Sequence, residues 1–481
     1  MKFMSKEISL PSVDLDIRTK IMVLAWPAIL ENLLTTLIQF VNTAMVSHLG
    51  SDATAAVGIN TPLIWMINGI VTSVGVGATA LVARYIGAGD KDKARRVSNQ
   101  SILIGIFLGI VFTFVILLLG NSIPIWLGAD STIAPLSAKY IRIMSTTFIL
   151  YFASLVAGAA LRGAGNTKTP MRINVLMNII NIIGNFILIY PSRTLVLCRG
   201  FELPMMGSIS IPKIQITLWG ANLGIEGAAI STALSQGIAG IIFLAIMFND
   251  DCVLKLRLKE LFSLDMDLIE KILYIGVPAA GERIIVSSGQ MAFTKIIAGL
   301  GTVQLAAHYL ANTAESISYM PAYGLAVAAT TLVGQSLGVS DTEKAERYGY
   351  GAFKIGVLIM SSMAFVFMFF PQYLIRIFTN DPVVIYHASS VLRIEALAQP
   401  FFASSIILSG ALRGAGDTKW PLYISIISMW GVRIILAWIM VGVFGLGLKS
   451  AWSAMVADLA VRGIFIFIRY RNGKWKSIVL E

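Results

Sequence analysis

The chain has 481 residues and a formal net charge of +11, with 56% hydrophobic and only 13% charged residues. A mean hydropathy of +0.78 excludes a soluble globular domain. Apolar runs of about 20 residues, the length that spans a bilayer, recur along the whole chain. The sequence therefore predicts a protein that crosses a membrane many times.

Twelve apolar segments are predicted to be transmembrane helices, which makes the fold class an all-α integral membrane protein. Several segments are longer than a span requires, so we expect tilted or kinked helices. A polar segment, 1–19, precedes them and is predicted to be cytoplasmic, and the first apolar run is too long for a secretory signal. The predicted spans are 21–46, 55–83, 99–120, 134–161, 170–190, 222–248, 272–298, 304–334, 350–370, 386–411, 421–443 and 450–468.

Basic residues are concentrated in the loops that follow the even-numbered spans. Examples are the clusters at 91–96 and 255–259, whereas the intervening loops contain no Lys or Arg around 47–54, 121–133 and 299–303. This asymmetry follows the positive-inside rule and predicts a multi-pass protein of the plasma (cytoplasmic) membrane with both termini in the cytoplasm. The orientation of the protein in the membrane explains where the positive charges lie, so no nucleic-acid partner is predicted.

Much of the chain is repeated at a spacing of 251 residues. Trp26–Glu31 returns as Val277–Glu282, and Ala160–Pro170 returns as Ala411–Pro421 with nine of eleven positions identical. Such a repeat predicts two equivalent lobes, an N-lobe and a C-lobe. Because each lobe would contain six spans, both copies have the same orientation, which is a parallel repeat. We therefore expect two pseudo-symmetric six-helix bundles, at 20–249 and 268–470.

A linker, 250–267, and a tail, 471–481, are predicted on the cytoplasmic side. Within the linker, Val253–Phe262 has bases on one side and Leu or Phe on the other, which predicts an amphipathic helix on the membrane surface or, equally, a solvated connection. The repeat spacing falls to 223 after span five, so the N-lobe has an extra 28 residues at about 191–219. Alternating polar and apolar residues in this insert predict a small external hairpin.

Glu31 and Glu282 occupy matching positions deep in spans one and seven. Each lies four residues after a proline, Pro27 or Pro278, and eleven residues after a lysine, which is about 16 Å along a helix. A carboxylate at this depth is costly unless it is protonated, paired or in contact with water, and a proline favours a bend beside it. Both acids are candidates for ion coupling or substrate contact, and hydrogen bonding between helices is the structural alternative.

Two further features differ between the lobes. Glu315 in span eight has Ile64 as its counterpart, and a coupling role and a structural role are equally open. Span five has one helical face of asparagines, which must face protein or a wet cavity. This face predicts a hydrated ion or proton chamber that includes Glu31, or simply interhelical hydrogen bonds; its members are Asn174, Asn178, Asn181 and Asn185.

The remaining charges in the spans have structural explanations. Glu395 is expected to pair with Arg393 near the outer leaflet, or Arg393 extends to the interface alone. Asp458 and Arg462, spaced i,i+4, are expected to neutralise each other. The three histidines form no cluster with carboxylates, so we predict neither an enzyme nor a metal site, and no cofactor other than a coupling ion.

The order of these motifs resembles the multidrug and toxic compound extrusion (MATE) family over nearly the whole chain. The resemblance rests on Trp26–Pro27 opening span one and on the paired Arg-Gly-Ala-Gly-(Asn/Asp)-Thr-Lys turns that begin at Arg162 and Arg413. It implies a V-shaped pair of bundles that exports cationic, lipophilic compounds in exchange for Na⁺ or H⁺. It further implies that span one bends at Pro27 and that Asn178 or Asn181 belongs to a cation chamber in the N-lobe.

One position departs from the family pattern. Many prokaryotic members have an aspartate in span one where this chain has Asn42, so the usual N-lobe protonation mechanism does not transfer. Asn42 and the nearby Gln39 stay among the candidate ion or substrate residues, and the titrating role is predicted to shift to Glu31, Glu282 and Glu315.

These observations predict an efflux antiporter that works by alternating access of two lobes. Its partners would be cationic or amphipathic small molecules and the lipid bilayer, and the protein would act as a monomer. The first alternative is a flippase of lipid-linked oligosaccharides or lipids from the same superfamily, which long lateral grooves lined with Arg would favour. The second alternative is a non-transporting channel or receptor, although neither of these would require a duplicated acid at mid-membrane.

Overall fold

The computed structural model describes residues 13–198, 214–250, 252–257, 260 and 263–478. Among the described residues, the first half of the chain forms eight helices and one hairpin. The helices are α1 (Val13–Ser47), α2 (Ser51–Gly87), α3 (Lys91–Leu119), α4 (Ser122–Trp126), α5 (Ile133–Ser145), α6 (Phe148–Gly163), α7 (Lys168–Leu188) and α8 (Gly224–Phe248).

The second half repeats this order. Its helices are α9 (Met266–Ala298), α10 (Thr302–Gly338), α11 (Thr342–Phe369), α12 (Pro371–Arg376), α13 (Pro382–Glu395), α14 (Gln399–Gly414), α15 (Lys419–Val443) and α16 (Leu448–Arg471). Two segments of α15, Ile427–Ile434 and Trp438–Val443, are π-helical. A short 3₁₀ helix, Lys474–Ser477, follows.

The predicted fold class of twelve transmembrane helices is confirmed. Nine helices of the described residues are individually long and apolar enough to cross a membrane, and two pairs, α5–α6 and α13–α14, do so as broken spans bent by 57° and 61°. These two pairs are counterparts in the repeat. The twelfth span is α9, which has 33 residues and carries Glu282 and Arg283 near its middle.

The turns between spans two and three and between spans eight and nine have the same construction in both lobes. Asp90 accepts a hydrogen bond from the Lys93 amide at 2.9 Å and so caps α3, and Asp341 caps α11 in the same way with Lys344 at 2.9 Å. Such a cap pairs one of the free amides at a helix start. The cap in each copy therefore fixes the same reversal of the chain.

The lobes contact each other where α2 and α10 end, on the membrane face where α1 begins and α16 ends. We call this the inner face; the charge pattern predicts that it is cytoplasmic. A Cβ added at Gly87 would lie 2.0 Å from the Gln335 carbonyl oxygen, and one at Gly338 would lie 2.1 Å from that of Arg84. Only glycine permits this approach. The two contacts are related by the 251-residue repeat, so they form one pseudo-symmetric seam.

The insert after span five contains an antiparallel hairpin of β1 (Pro191–Cys198) and β2 (Ile214–Ala221), while 199–213 lie outside the described residues. In the linker, 253–257 form a turn followed by non-helical backbone, so the predicted amphipathic helix is wrong over these positions. Leu254 and Leu256 are buried there. Four other positions of that predicted helix, 258, 259, 261 and 262, lie outside the described residues.

Candidate functional site

Glu31 lies at the middle of α1 and is bound by side chains from two other helices of the N-lobe. Asn174 of α7 donates a hydrogen bond to Glu31 Oε1 at 2.6 Å, and Arg162 Nη1, from the last turn of α6, lies 3.4 Å from the same oxygen. The other carboxylate oxygen, Oε2, has no hydrogen-bond partner among the described residues. The acid thus joins three helices and keeps one oxygen for a further ligand.

The C-lobe contains the same arrangement around Glu282. Arg413 Nη2 donates to Glu282 Oε2 at 2.7 Å, and Ser425 Oγ lies 3.5 Å from Oε1. All three residues lie 251 positions after Glu31, Arg162 and Asn174, so the repeat builds one carboxylate–arginine pair in each lobe. The arginines belong to the repeated turn motif, and their conservation between the two copies was the signal that could have identified them as partners.

Pro27 and Pro278 lie inside unbroken helices, four residues before these acids. The two broken spans, α5–α6 and α13–α14, contain neither proline. A proline leaves one backbone carbonyl of the preceding turn without its usual partner, which makes a later bend easier at that point. The helix-bending role of the two prolines therefore stays a prediction.

Part of the asparagine stripe of α7 forms a neutral amide cluster with Asn42 of α1. Asn42 Nδ2 donates to Asn181 Oδ1 at 2.7 Å, and Asn185 Nδ2 donates to Asn42 Oδ1 at 2.8 Å. Asn181 also donates to Thr232 of α8 at 3.2 Å. Every group in this cluster is uncharged, so its hydrogen bonds hold α1, α7 and α8 together without an ionisable side chain.

The amide cluster does not include Glu31. Of the stripe, only Asn174 contacts that acid, while Asn178 is buried and Gln39 of α1 is exposed. The single chamber predicted from the sequence is therefore divided into the Glu31 site and the amide cluster. The same face of α7 contributes Asn174 to the Glu31 site and Asn181 and Asn185 to the amide cluster, so the stripe extends over several turns.

Glu315 of α10 and Glu395 of α13 form a buried carboxyl pair in the C-lobe. Their carboxyl groups lie within interaction distance of each other, and their exposed fractions are 5% and 0%. Gln399 donates to Glu395 Oε1 at 3.5 Å, and Ser318 Oγ donates to Gln399 Oε1 at 2.5 Å. A hydrogen bond between two carboxyl groups needs a proton on one of them, so two buried acids this close have the chemistry to share one proton.

A buried ion triad lies beside the carboxyl pair. Asp458 of α16 accepts from Arg433 at 2.7 Å and from Arg462 at 2.9 Å. The predicted pairing of Asp458 with Arg462 is present, and Arg433 is a second partner that sequence reasoning missed. The predicted pairing of Glu395 with Arg393 is wrong, because Arg393 is exposed while Glu395 is buried.

The five charged residues of the pair and triad have no charged counterpart in the N-lobe. The repeat places uncharged side chains at all of these positions, namely Ile64, Met144, Ile182, Ser235 and Ala239. A buried charge is expensive unless it is compensated, so a network confined to one lobe marks a difference in what the two lobes do.

A cavity of about 250 Å³ lies between the lobes. Its polar lining includes one acid and three arginines, Glu282, Arg283, Arg413 and Arg462. A smaller cavity of about 160 Å³ adjoins it and reaches Arg162. Glu282 and Arg413 thus line the central cavity, and Arg162, the partner of Glu31, lines the cavity beside it. Across the described residues, no group of three or more His, Cys, Asp and Glu side chains could hold a metal ion.

Two six-helix lobes with polar sites inside each and a cavity between them define a membrane transporter. The chain belongs to the MatE family, whose model matches residues 27–187 and 278–439, one match in each lobe. It is 31% identical over 463 residues to the probable multidrug resistance protein NorM of Thermotoga maritima, covering 96% of this chain and 94% of that protein. It is therefore a membrane transporter, from a family of transporters and not of enzymes.

Solved structures share the same fold. A MATE transporter in its straight conformation superposes with a TM-score of 0.84 at 24% identity, covering 95% of this chain and 96% of that one. An outward-facing multidrug resistance MATE family transporter also gives 0.84 at 24% identity, covering 96% and 98%. The whole chain therefore matches in architecture.

Proposed function

We propose that this transporter exports lipophilic compounds from the cytoplasm in exchange for protons, by alternating access of its two lobes in the plasma membrane. The carboxyl pair Glu315–Glu395 is the group that binds and releases the coupling proton. The observation that carries this proposal is the proximity of two acids that are buried together inside a membrane lobe. Because all candidate sites belong to one chain, we propose a monomer as the working unit.

The location of the pair supports a coupling role. Glu315 is on α10, the helix that forms the inner-face seam with α2, and Glu395 is at the 61° break between α13 and α14. Loss of the shared proton would place two negative charges in contact, which costs free energy in a buried site. Arg433 is already committed to Asp458. The repulsion between the two carboxylates would then act on α10, which forms part of the seam, and on the broken span α13–α14.

The test uses purified protein in liposomes with separately imposed proton and Na⁺ gradients. We expect a proton gradient to drive export by the wild type, and Glu315→Gln and Glu395→Gln to abolish this drive while compound binding persists. Glu226→Gln is the matched control, because Glu226 is a carboxylate near the outer end of α8 that pairs with Lys139. Full proton drive in both test variants, or drive by Na⁺ alone, would refute the proton site.

Glu282 and Glu31 are proposed as substrate-contacting residues, not as the proton site. Each acid has an arginine partner, and Glu282 lines the central cavity. A cationic compound, the class that the family resemblance implies, would bind by replacing Arg413 at Glu282. Competition between a cationic and an anionic dye for binding, measured in wild type and Glu282→Gln, tests this step: the variant should lose affinity for the cation only.

A second candidate function is movement of an amphipathic lipid. An apolar groove of about 500 Å³ between α2, α3 and α9 shares Ser73 with the central cavity, which would admit an alkyl chain from the membrane. Arg283 lines that cavity, is exposed, and has no carboxylate within ion-pair distance among the described residues. Reconstituted protein that translocates a fluorescent anionic lipid without any gradient would favour this flippase function over proton-coupled export.

A further inference from the structure

A second groove lies at the inner face, outside every site described above. It forms where α1 meets α11 and α16, and its volume is about 800 Å³. Cationic side chains line it together with apolar ones. The members used below are Arg18, Arg347, Lys354, Ile355, Leu358 and Arg471.

The groove has an excess of positive charge. Its two acids are already paired: Glu343 with Arg347 at 2.5 Å, and Glu346 with Lys476 at 2.5 Å. Neither Lys354 nor Arg471 has a carboxylate within 4 Å among the residues that the structure describes. An anionic ligand would therefore meet cations that no acid of the described residues already neutralises.

The positions of these cations match the headgroup region of a bilayer. Arg18 is in the second turn of α1, and Arg471 is the last residue of α16, so both lie where their spans leave the membrane. Lys354 lies twelve residues into α11, about 18 Å along the helix, and its long side chain can extend toward the polar region. Apolar Ile355 and Leu358 lie at the same depth or deeper.

The internal repeat supplies a natural comparison. The apolar groove of the N-lobe contains the counterparts of four of these positions: Ile269 for Arg18, Leu103 for Lys354, Ile104 for Ile355 and Phe107 for Leu358. At the 223-residue spacing, the counterpart of Arg471 is Phe248.

Four repeat-related positions thus line a groove in both copies, and only the groove at α1, α11 and α16 is cationic. Fold and packing do not require charge at these positions, because the N-lobe builds its groove without it. A ligand with a negative headgroup and an apolar body would distinguish the two copies, because only one of them has cations for the headgroup.

We propose that the C-lobe groove binds one anionic phospholipid of the inner leaflet. Its phosphate headgroup contacts Arg18, Lys354 and Arg471, and an acyl chain lies along Ile355 and Leu358. Basic pockets between spans on the cytoplasmic side recognise anionic headgroups in this way. Since α1 belongs to the N-lobe and α11 and α16 to the C-lobe, the bound lipid also bridges the lobes.

Native mass spectrometry of the purified full-length protein tests the site. The protein is titrated with phosphatidylglycerol, with phosphatidylcholine of the same acyl chains, and with glycerol phosphate, which has no acyl chain. We expect one tight phosphatidylglycerol adduct. Lys354→Leu combined with Arg471→Phe, which introduces the residues found at the repeat-related positions of the N-lobe, should weaken that adduct about 25-fold, from about fivefold per basic residue.

The matched control is Lys91→Gln combined with Arg96→Gln, which removes two charges from the inner face of the N-lobe, where Arg96 is the counterpart of Arg347. This control should retain the adduct. High salt should weaken the wild-type adduct, because headgroup attraction is screened, and this arm requires no variant. Equal binding of phosphatidylcholine, equal binding of glycerol phosphate, or equal loss in the control would each overturn the proposal.

Discussion

Gly87 of α2 lies against Gln335 of α10 so closely that an added Cβ would be 2.0 Å from the Gln335 carbonyl oxygen. This backbone contact closes the space between the lobes at the inner face. Alternating access requires that it open and close once in each cycle. The seam is therefore a place where a single methyl group changes the balance between the two states.

Gly87→Ala is expected to destabilise the state in which the seam is closed and to slow export severalfold, because a backbone carbonyl cannot move aside as a side chain can. The measurement is the initial rate of dye export from liposomes. Gly58→Ala is the control in the same helix, since an added Cβ there meets nothing within 4 Å. Equal rates for both variants would show that the seam does not open during transport.

The two carboxylate–arginine pairs should differ in strength. Arg413 Nη2 lies 2.7 Å from Glu282, whereas Arg162 Nη1 lies 3.4 Å from Glu31. All four side chains are mostly buried. We therefore expect a coupling free energy between that of an exposed salt bridge and that of a fully buried one. Double-mutant cycles with Gln at each position, read by thermal unfolding, should give about 1–2 kcal/mol for the C-lobe pair and less for the N-lobe pair. The reverse order would contradict this prediction.

The carboxylate–arginine pairs could have been predicted from the sequence, whereas the buried network of the C-lobe could not. Glu31 and Arg162 are separated by 131 residues, and so are Glu282 and Arg413. A carboxylate inside a span needs a partner, and each lobe retains an arginine at the same position relative to its acid. Glu395 has no such duplicate. It is the last residue of α13 before a 61° bend, so a straight helix places it at the wrong depth and facing the wrong neighbours.

Asn42→Asp tests the neutral amide cluster. The Asn42 amide donates to Asn181 Oδ1, and an aspartate can donate there only while it holds a proton. We therefore expect the unfolding temperature of the variant to fall as the pH rises from 5 to 8, while that of the wild type stays level. Gln39→Glu, three residues earlier on the same helix and exposed, should show no such trend. A level profile for Asn42→Asp would mean that the cluster admits water or a cation.

Glu260 fastens the linker to the inner end of α3. Arg95 donates to both of its carboxylate oxygens at 3.0 Å. Partial burial acts to raise the pKa of Glu260, but Arg95 and Arg257 together hold that pKa below its ordinary value of 4.5. The ion pair therefore stabilises the linker above pH 4.5, and this contribution is lost as the pH falls through the lowered pKa.

Glu260→Gln should consequently speed proteolysis at Lys255 and Arg257 equally at pH 6 and pH 8, since the pair is fully ionised at both. Asp250→Asn is the control: its partner Lys255 is also in the linker, but Asp250 is mostly exposed, and such pairs contribute at most about 1 kcal/mol. Limited digestion with trypsin, followed by mass spectrometry, measures the rates. Faster cleavage of the control than of Glu260→Gln would contradict the assigned attachment.

We expect the two buried groups of the C-lobe to respond differently to mutation: the Asp458 ion triad stabilises the fold, whereas the Glu315–Glu395 pair binds and releases a proton. Asp458 accepts from Arg433 and Arg462, so Asp458→Asn leaves two buried guanidinium groups without their counter-ion and should cost about 3–5 kcal/mol. Glu315→Gln should be nearly neutral for stability, because the glutamine amide can donate to Glu395 in place of the proposed shared proton. Thermal unfolding at pH 7 measures both. If Glu315→Gln were as damaging as Asp458→Asn, the carboxyl pair would be part of the ion network and its proton would not be free to leave during transport.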